Sequence, residues 1–238
     1  MRTLVAIFLL SSLVNCSDDV PDSKRWKDPL EGLPDNGPLR LDEPSIGQRS
    51  YYVSFRATND FTTEDVQYKY FGDTLVLAIT GKQSDYWIIN EFMSQGSAFR
   101  LSLEDDSYLD SVYVTTLRID SDSIYFGDPS GKSYFSYFFG IQANSLLKLP
   151  LALVTEPAKE NPACSPFSSR NADSMEYSLN YTQLGQPYDH LNVYADNSMT
   201  ATDGPALMYA YSPSYGFVRM SAINPWVADT AAGWDLVE

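Results

Sequence analysis

The fold of this chain is restricted above all by the alternation of aromatic and branched side chains at every second position. Tyr51, Val53 and Phe55 begin the pattern, and such alternation places one set of side chains on one face of a β-strand. The sequence also holds 17 Tyr and 12 Phe, residue types that favour pleated, half-buried surfaces. We therefore expect a mainly β fold.

Turn residues separate the alternating segments. Gly72-Asp73, Gly81 to Ser84 and Asp128 to Gly131 are examples, and their spacing is typical of an antiparallel meander. No repeat of roughly 20–50 residues is present, which excludes a solenoid or a propeller. We expect the sheet to form an open barrel or half-barrel, with a sandwich as the alternative. The predicted strands cover residues 51–55, 66–70, 74–80, 85–91, 112–119, 123–126, 134–139, 175–181, 191–195, 207–211, 217–222 and 234–237.

A polar stretch with three prolines divides these strands. Residues 155–174 contain Pro157, Pro162 and Pro166 and have no apolar periodicity, which indicates a long surface loop or a boundary. The prediction is one β domain over residues 48–238, with two sub-units split at this stretch as the alternative.

The first residues have the composition of a secretory signal. A basic start is followed by an apolar run from Leu4 to Val14, and polar residues come directly after Cys16. The run is too short to span a bilayer as a stable anchor. Residues 1–15 are therefore predicted to be a signal peptide that does not contribute to the fold.

The segment Leu13-Val14-Asn15-Cys16 resembles a bacterial lipobox, in which a lipid-bearing cysteine becomes the first mature residue. Leu13 and Val14 match its apolar positions, whereas Asn15 stands where Gly, Ala or Ser is usual. The following Ser17-Asp18-Asp19 is similar to the acidic tract of Bacteroidetes lipoproteins, which is associated with surface display. The resemblance implies a lipid on Cys16 and a location in the envelope, at the outer membrane.

An ordinary secretory signal with a chance cysteine is the alternative to lipidation. It includes a eukaryotic secreted protein, because Asn180-Tyr181-Thr182 is a glycosylation sequon.

The last quarter of the chain carries a second resemblance. Tyr209, Tyr211, the segment 215–219 (Tyr-Gly-Phe-Val-Arg) and the terminal Gly233-Trp234-Asp235-Leu236 are similar to the closing segment of bacterial envelope lipoproteins of unknown function. The resemblance implies a hairpin with buried aromatic residues and an envelope location, and it implies no activity.

Prolines dominate the segment that follows Cys16. Residues 16–47 contain five of them, with scattered charges and no apolar period, so an extended and poorly ordered tether is expected. Acyl chains on Cys16 would hold the domain at the membrane, each buried methylene contributing about 0.8 kcal/mol.

The chain is strongly acidic. Its formal net charge is −15 and its pI is near 4.3, which disfavours binding to a phosphate backbone. Nucleic acid is therefore excluded as a partner.

Few residues are suited to catalysis or to metal binding. His190 is the only histidine, and no nucleophile-elbow pattern accompanies it. Cys164 is expected to be a lone thiol, since no local signature pairs it with His190. We predict no enzyme, no cofactor and no metal.

Acidic residues could serve a glycosidase, and Asp105-Asp106, Asp120 with Asp122, and Glu91 are the candidates. Turn and strand-end positions on a solvated surface are the expectation for all of them, and the Asp120-Ser121-Asp122 segment lacks the further ligands of a calcium loop. Arg219 is expected to pair with an acidic neighbour on the sheet, with anion binding as the alternative.

These observations predict a membrane-anchored, non-enzymatic β domain that binds or carries an apolar or glycan ligand, because curved antiparallel sheets form cups. The aromatic strand at residues 134–139 is expected to be core, with a ligand-stacking platform as the alternative. A structural or assembly role with a protein ligand in a surface complex is the second hypothesis, and a hydrolase with an acidic site is the third.

Overall fold

The computed structural model describes residues 28–60, 65–94, 96–97, 112–127, 146–152, 174–178, 181–196, 206–223 and 230–237. All the regular elements in these ranges are β-strands, and none of them contains a helix able to cross a membrane. The strands are β1 (Arg49–Asp60), β2 (Asp65–Gln83), β3 (Tyr86–Met93), β4 (Tyr113–Ile119), β5 (Ser123–Gly127), β6 (Leu146–Pro150), β7 (Ser174–Ser178), β8 (Tyr181–Gln183), β9 (Gln186–Tyr188), β10 (Leu191–Asp196), β11 (Ala206–Ser212), β12 (Gly216–Ile223) and β13 (Thr230–Leu236).

Eleven of these strands form one antiparallel sheet in the order β6-β5-β4-β3-β2-β1-β13-β12-β11-β10-β7. Neighbours in the sheet are mostly neighbours in the chain, so the sheet is a meander, as predicted. The first strand pairs with the last, from Tyr52 to Thr58 of β1. The strands before and after residues 155–174 therefore belong to the same sheet.

The sheet curves into a barrel that is nearly closed, with one open seam. The edge of β6 lies close to β10 and β11 at this seam. The Tyr211 hydroxyl donates to the carbonyl of Pro150 at 2.9 Å, and the Asn192 amide donates to the carbonyl of Ala152 at 3.0 Å. Side-chain hydrogen bonds thus bridge the strands there, and the predicted open barrel is confirmed.

Apolar side chains that point into the barrel form the main core. Tyr52, Leu77 and Ile89 have no exposed surface, and Phe126 packs edge-to-face on Phe217 with ring centroids 5.1 Å apart. Burying a side chain of this size stabilises the fold by about 1.5–3 kcal/mol. The Tyr52 hydroxyl donates to the carbonyl of Phe217 at 2.9 Å, so its polar end is satisfied inside the core.

Residues 28–47, which we name the N-terminal plug, pack at the end of the barrel where the β11–β12 turn lies. Leu39 and Leu41 belong to the main core and are 1% and 0% exposed. The Leu41 amide donates to the carbonyl of Pro213 at 2.8 Å. Gly216 has φ +66°, and a Cβ there would lie 2.4 Å from the Leu39 carbonyl oxygen, so only glycine fits.

The plug corrects the predicted domain boundary. Composition predicted a disordered tether over residues 16–47 and a domain that begins at residue 48. Residues 28–47 are instead part of the folded domain, because prolines prevent regular structure but allow an irregular chain to bury leucines. Residues 16–27 lie outside the described residues. Leu30 contributes on the outer face of the sheet, where it packs against Val76, Ala78 and Phe92.

The second strand differs from the prediction at Gly72-Asp73, which was expected to be a turn between two strands. β2 runs through these residues without a break. Val53 of β1 pairs with Thr74. The next register pair joins Phe55 to Tyr70, so three residues of β2 face a single residue of β1. This β-bulge accommodates glycine and aspartate while the strand continues.

Three short strands, β6, β8 and β9, were not predicted as strands. The β8–β9 hairpin turns at Leu184-Gly185, where both residues have positive φ, as a tight hairpin requires. The hairpin packs on the outer face of the sheet, and the Gln183 amide donates to the carbonyls of Val218 and Leu236 at 3.0 and 3.3 Å. The predicted aromatic strand at residues 134–139 lies outside the described residues.

Candidate functional site

A cavity of about 370 Å³ lies among β1, β2, β12 and β13. The plug packs at the beginning of β12, whereas the cavity borders the later residues of that strand, so the two occupy opposite ends of the barrel. The cavity is lined by Ser54, Phe55, Arg56, Phe71, Asp73, Met220, Ala222, Ala232, Gly233 and Trp234.

Strand register brings the lining residues together. Ser54 of β1 and Met220 of β12 both pair with Trp234 of β13. Two residues further along β12, Ala222 pairs with Ala232 of β13. Because these two side chains are small, they leave the space that a larger pair would fill, and the cavity results.

Gly233 lets β12 and β13 approach closely beside the cavity. A Cβ on Gly233 would lie 1.9 Å from the carbonyl oxygen of Met220, a contact that no side chain can make. Trp234 packs against the main core and Met220 belongs to it, so the part of the cavity wall that these two residues form is apolar and continuous with the core.

Asp73 supplies an anionic group to the same wall. The Ser54 hydroxyl donates to Asp73 Oδ2 at 3.2 Å, and the hydroxyl of Ser97, which has no exposed surface, donates to Oδ1 at 3.0 Å. The bulge of β2 places this residue opposite β1. The carboxylate is therefore fixed in position by hydrogen bonds from two sides.

Arg56 lines the exposed side of the cavity, and a second cation, Lys69, lies beside it. The Arg56 guanidinium is 5.7 Å from the centre of the Phe71 ring. Lys69 pairs with Arg56 across β1 and β2, and its ammonium is 5.4 Å from the same ring. Both distances are within the range of a cation–π contact, and both side chains are exposed.

A buried ion pair occupies the other face of the same strands. The Arg219 guanidinium binds the Asp235 carboxylate through two hydrogen bonds of 2.5 Å, and the two side chains are 4% and 0% exposed. The Tyr70 hydroxyl donates to Asp235 at 2.8 Å, and Arg219 donates to the Tyr68 hydroxyl at 3.1 Å. The guanidinium also lies over the rings of Phe55 and Tyr68, at 4.6 and 4.8 Å.

This cluster confirms that Arg219 pairs with an acidic neighbour on the sheet. Every charge in it has an opposite partner, so it is a structural cluster and leaves no guanidinium for a ligand. Burial, together with the neighbouring carboxylate of Asp235, raises the pKa of Tyr70. The Tyr70 hydroxyl therefore stays protonated and remains a hydrogen-bond donor.

Glu91 was expected on a solvated surface, and that prediction was wrong. It has no exposed surface, because it lies on the same face of β3 as Ile89 and Met93, which point into the barrel. The Thr115 hydroxyl donates to its carboxylate at 3.0 Å. The alternation of side chains along β3 indicated that Glu91 faces the core, but its charged side chain suggested a position in solvent.

The other candidate residues lie away from the cavity or outside the described residues. Asp120 and Asp122 are exposed in the β4–β5 turn, as predicted, and His190 is exposed just before β10. Across the described ranges, no group of three or more His, Cys, Asp or Glu residues is placed to hold a metal ion. The candidates outside the described residues are Cys16, Asp105, Asp106 and Cys164.

No family model matches this sequence, and no curated protein has significant similarity to it.

The cavity residues were not singled out from the sequence. Alternation placed Ser54 and Arg56 on one face of their strand, but it could not indicate that β1 pairs with β13. The small residues Ala231-Ala232-Gly233 in the last strand were the available signal, since a run without large side chains indicates close backbone approach or open space.

Proposed function

We propose that this chain is a lipid-anchored envelope protein whose barrel binds or carries a small ligand and catalyses no reaction. The observation that carries the proposal is the cavity at the end of the barrel opposite the plug. Its volume of about 370 Å³ falls within the range of roughly 300–1,000 Å³ that is usual for small-molecule sites.

The chemistry of the cavity supports a binding role. Met220, Trp234 and Phe71 provide apolar surface, whereas Asp73 and Arg56 provide a few oriented polar groups. Sites that bind small molecules combine apolar surface with placed polar groups, which fix the orientation of the ligand.

The proposed anchor rests on the sequence of residues 1–19. Cys16 would carry the lipid, and the domain would then be tethered at the membrane without a spanning segment. The proposed envelope location rests on the same residues.

Native mass spectrometry of the protein, purified gently from its own cells, tests ligand binding. We expect a noncovalently bound mass on the natural chain and its loss in Ala232→Phe, which places a ring in the cavity. Thr182→Phe introduces the same ring at an exposed position of β8 and should keep the bound mass. A natural chain that is always empty, or a mass that Ala232→Phe retains, would contradict the proposal.

The anchor is tested separately in the same preparation. Intact mass should reveal acyl groups on a chain that begins at Cys16, and Cys16→Ser should lack them and leave the membrane fraction. An unacylated mature chain would instead support an ordinary secretory signal.

A further inference from the structure

Arg56 is the exception among the arginines that the structure describes. Residues 28–237 include five described arginines, and four of them form ion pairs, as Arg40–Asp42, Arg49–Asp35, Arg118–Asp120 and Arg219–Asp235. No described carboxylate forms an ion pair with Arg56, although the chain carries a net charge of −15. Its guanidinium instead lies over the ring of Phe71 at the cavity.

Lys69 adds a second positive charge beside it. The two residues are directly opposite on β1 and β2, and both cations lie against the ring of Phe71. Like charges directly opposite on paired strands repel each other. An anion bound between them would remove this repulsion and accept hydrogen bonds from both.

The deeper part of the cavity disfavours a second anion. Asp73 lies there with its carboxylate held by Ser54 and Ser97, and it would repel another negative group. The adjoining surface of Trp234 and Met220 is apolar. A ligand with its anionic group at Arg56 and an uncharged body further in fits this distribution of charge.

We propose that the cavity takes a small molecule with an apolar or aromatic body and one anionic group, such as a carboxylate, sulfonate or phosphate, which binds to Arg56 and Lys69. This inference rests on the proposed binding function and adds the chemical class of the ligand and its orientation.

Two fluorescent probes with the same rings separate the contribution of charge from that of the apolar body. 8-Anilinonaphthalene-1-sulfonate carries a sulfonate, and N-phenyl-1-naphthylamine is its uncharged counterpart. We expect the natural chain to bind the sulfonate more tightly. We also expect added salt to weaken only the sulfonate complex, because salt screens exposed charges.

The variant Arg56→Gln/Lys69→Gln removes both cations and keeps polar side chains. It should weaken sulfonate binding about tenfold or more, given the strength of charge-assisted hydrogen bonds, and leave the uncharged probe unaffected. Arg118→Gln/Lys148→Gln is the matched control, since that pair lies against the ring of Tyr125 on the outer face of the sheet. It should change neither affinity.

The outcomes distinguish the two proposals. The assignment of an anionic ligand would be overturned if both probes bound with equal affinity and Arg56→Gln/Lys69→Gln left both affinities unchanged. If Ala232→Phe then abolished binding of both probes, the proposed binding cavity would still be supported. Failure of both probes to bind, or binding that Ala232→Phe does not weaken, would overturn the proposed binding function itself.

Discussion

At the scale of single residues, the pair of Arg219 and Asp235 connects three strands. The two residues are directly paired across β12 and β13, and tyrosines of β2 bond to both of them. The sequence predicted that Arg219 pairs with an acidic neighbour, but it could not name Asp235, because the partner depends on strand register. Glu91 was predicted wrongly because a carboxylate usually lies in solvent, whereas this one lies on the core face of β3.

Asp235→Asn should destabilise the fold by about 3–5 kcal/mol, because it leaves the guanidinium buried without a counter-charge. Urea unfolding measures this free energy. Asp120→Asn breaks the exposed pair with Arg118 and should cost less than about 1 kcal/mol. Equal costs for the two variants would contradict the structural importance of the buried pair.

Buried tyrosines should make stability depend on alkaline pH. Burial raises the pKa of Tyr52 and of Tyr211 in the folded protein. Their contribution is complete below the unfolded pKa of about 10. Above it the folded state retains protons that the unfolded state loses, so stability should fall by up to about 1.4 kcal/mol per pH unit for each group.

Urea unfolding between about pH 9 and pH 11, which spans the ordinary tyrosine pKa, tests this dependence. Tyr52→Phe should reduce the slope of stability against pH, since it removes one of the tyrosines whose pKa is raised in the folded protein. A slope identical to that of the natural chain would contradict the assignment to Tyr52.

At the scale of elements, alternation located most of the strands, since each of them has one face toward the core. It failed in two segments. Gly72-Asp73 has the composition of a turn but forms a bulge within β2. Leu39 and Leu41 lie in a proline-rich segment whose composition predicted disorder, although both side chains are buried in the core. The short strands β8 and β9 pack on the outer face of the barrel, where a segment of three residues gives no period to detect.

The plug should contribute to global stability as a core element does. Leu39→Ala should cost about 2–5 kcal/mol, the range for a buried leucine whose removal leaves a cavity. Leu184→Ala removes an exposed leucine of the β8–β9 turn and should have an effect within about 0.5 kcal/mol. If Leu39→Ala were equally harmless, residues 28–47 would not belong to the cooperative domain.

At the scale of the whole molecule, the barrel has two different ends. The plug and the main core fill one end with apolar side chains, and the other end holds the cavity with Arg56 and Asp73, beside which Lys69 lies. The cavity residues come from four strands, around positions 54–56, 71–73, 220–222 and 232–234. Such a site exists only after β1 has paired with β13, so the run of small residues in β13 could indicate open space but could not indicate which residues surround it.

We expect a small ligand to bind inside this cavity, and methionine-methyl NMR with 8-anilinonaphthalene-1-sulfonate tests this claim. Met220 lines the cavity, whereas Met208 packs on the outer face of the sheet and serves as an internal control. We predict that the probe shifts the Met220 methyl signal in a saturable way and leaves the Met208 signal in place. An unchanged Met220 signal at saturation, or a shift confined to Met208, would contradict the claim.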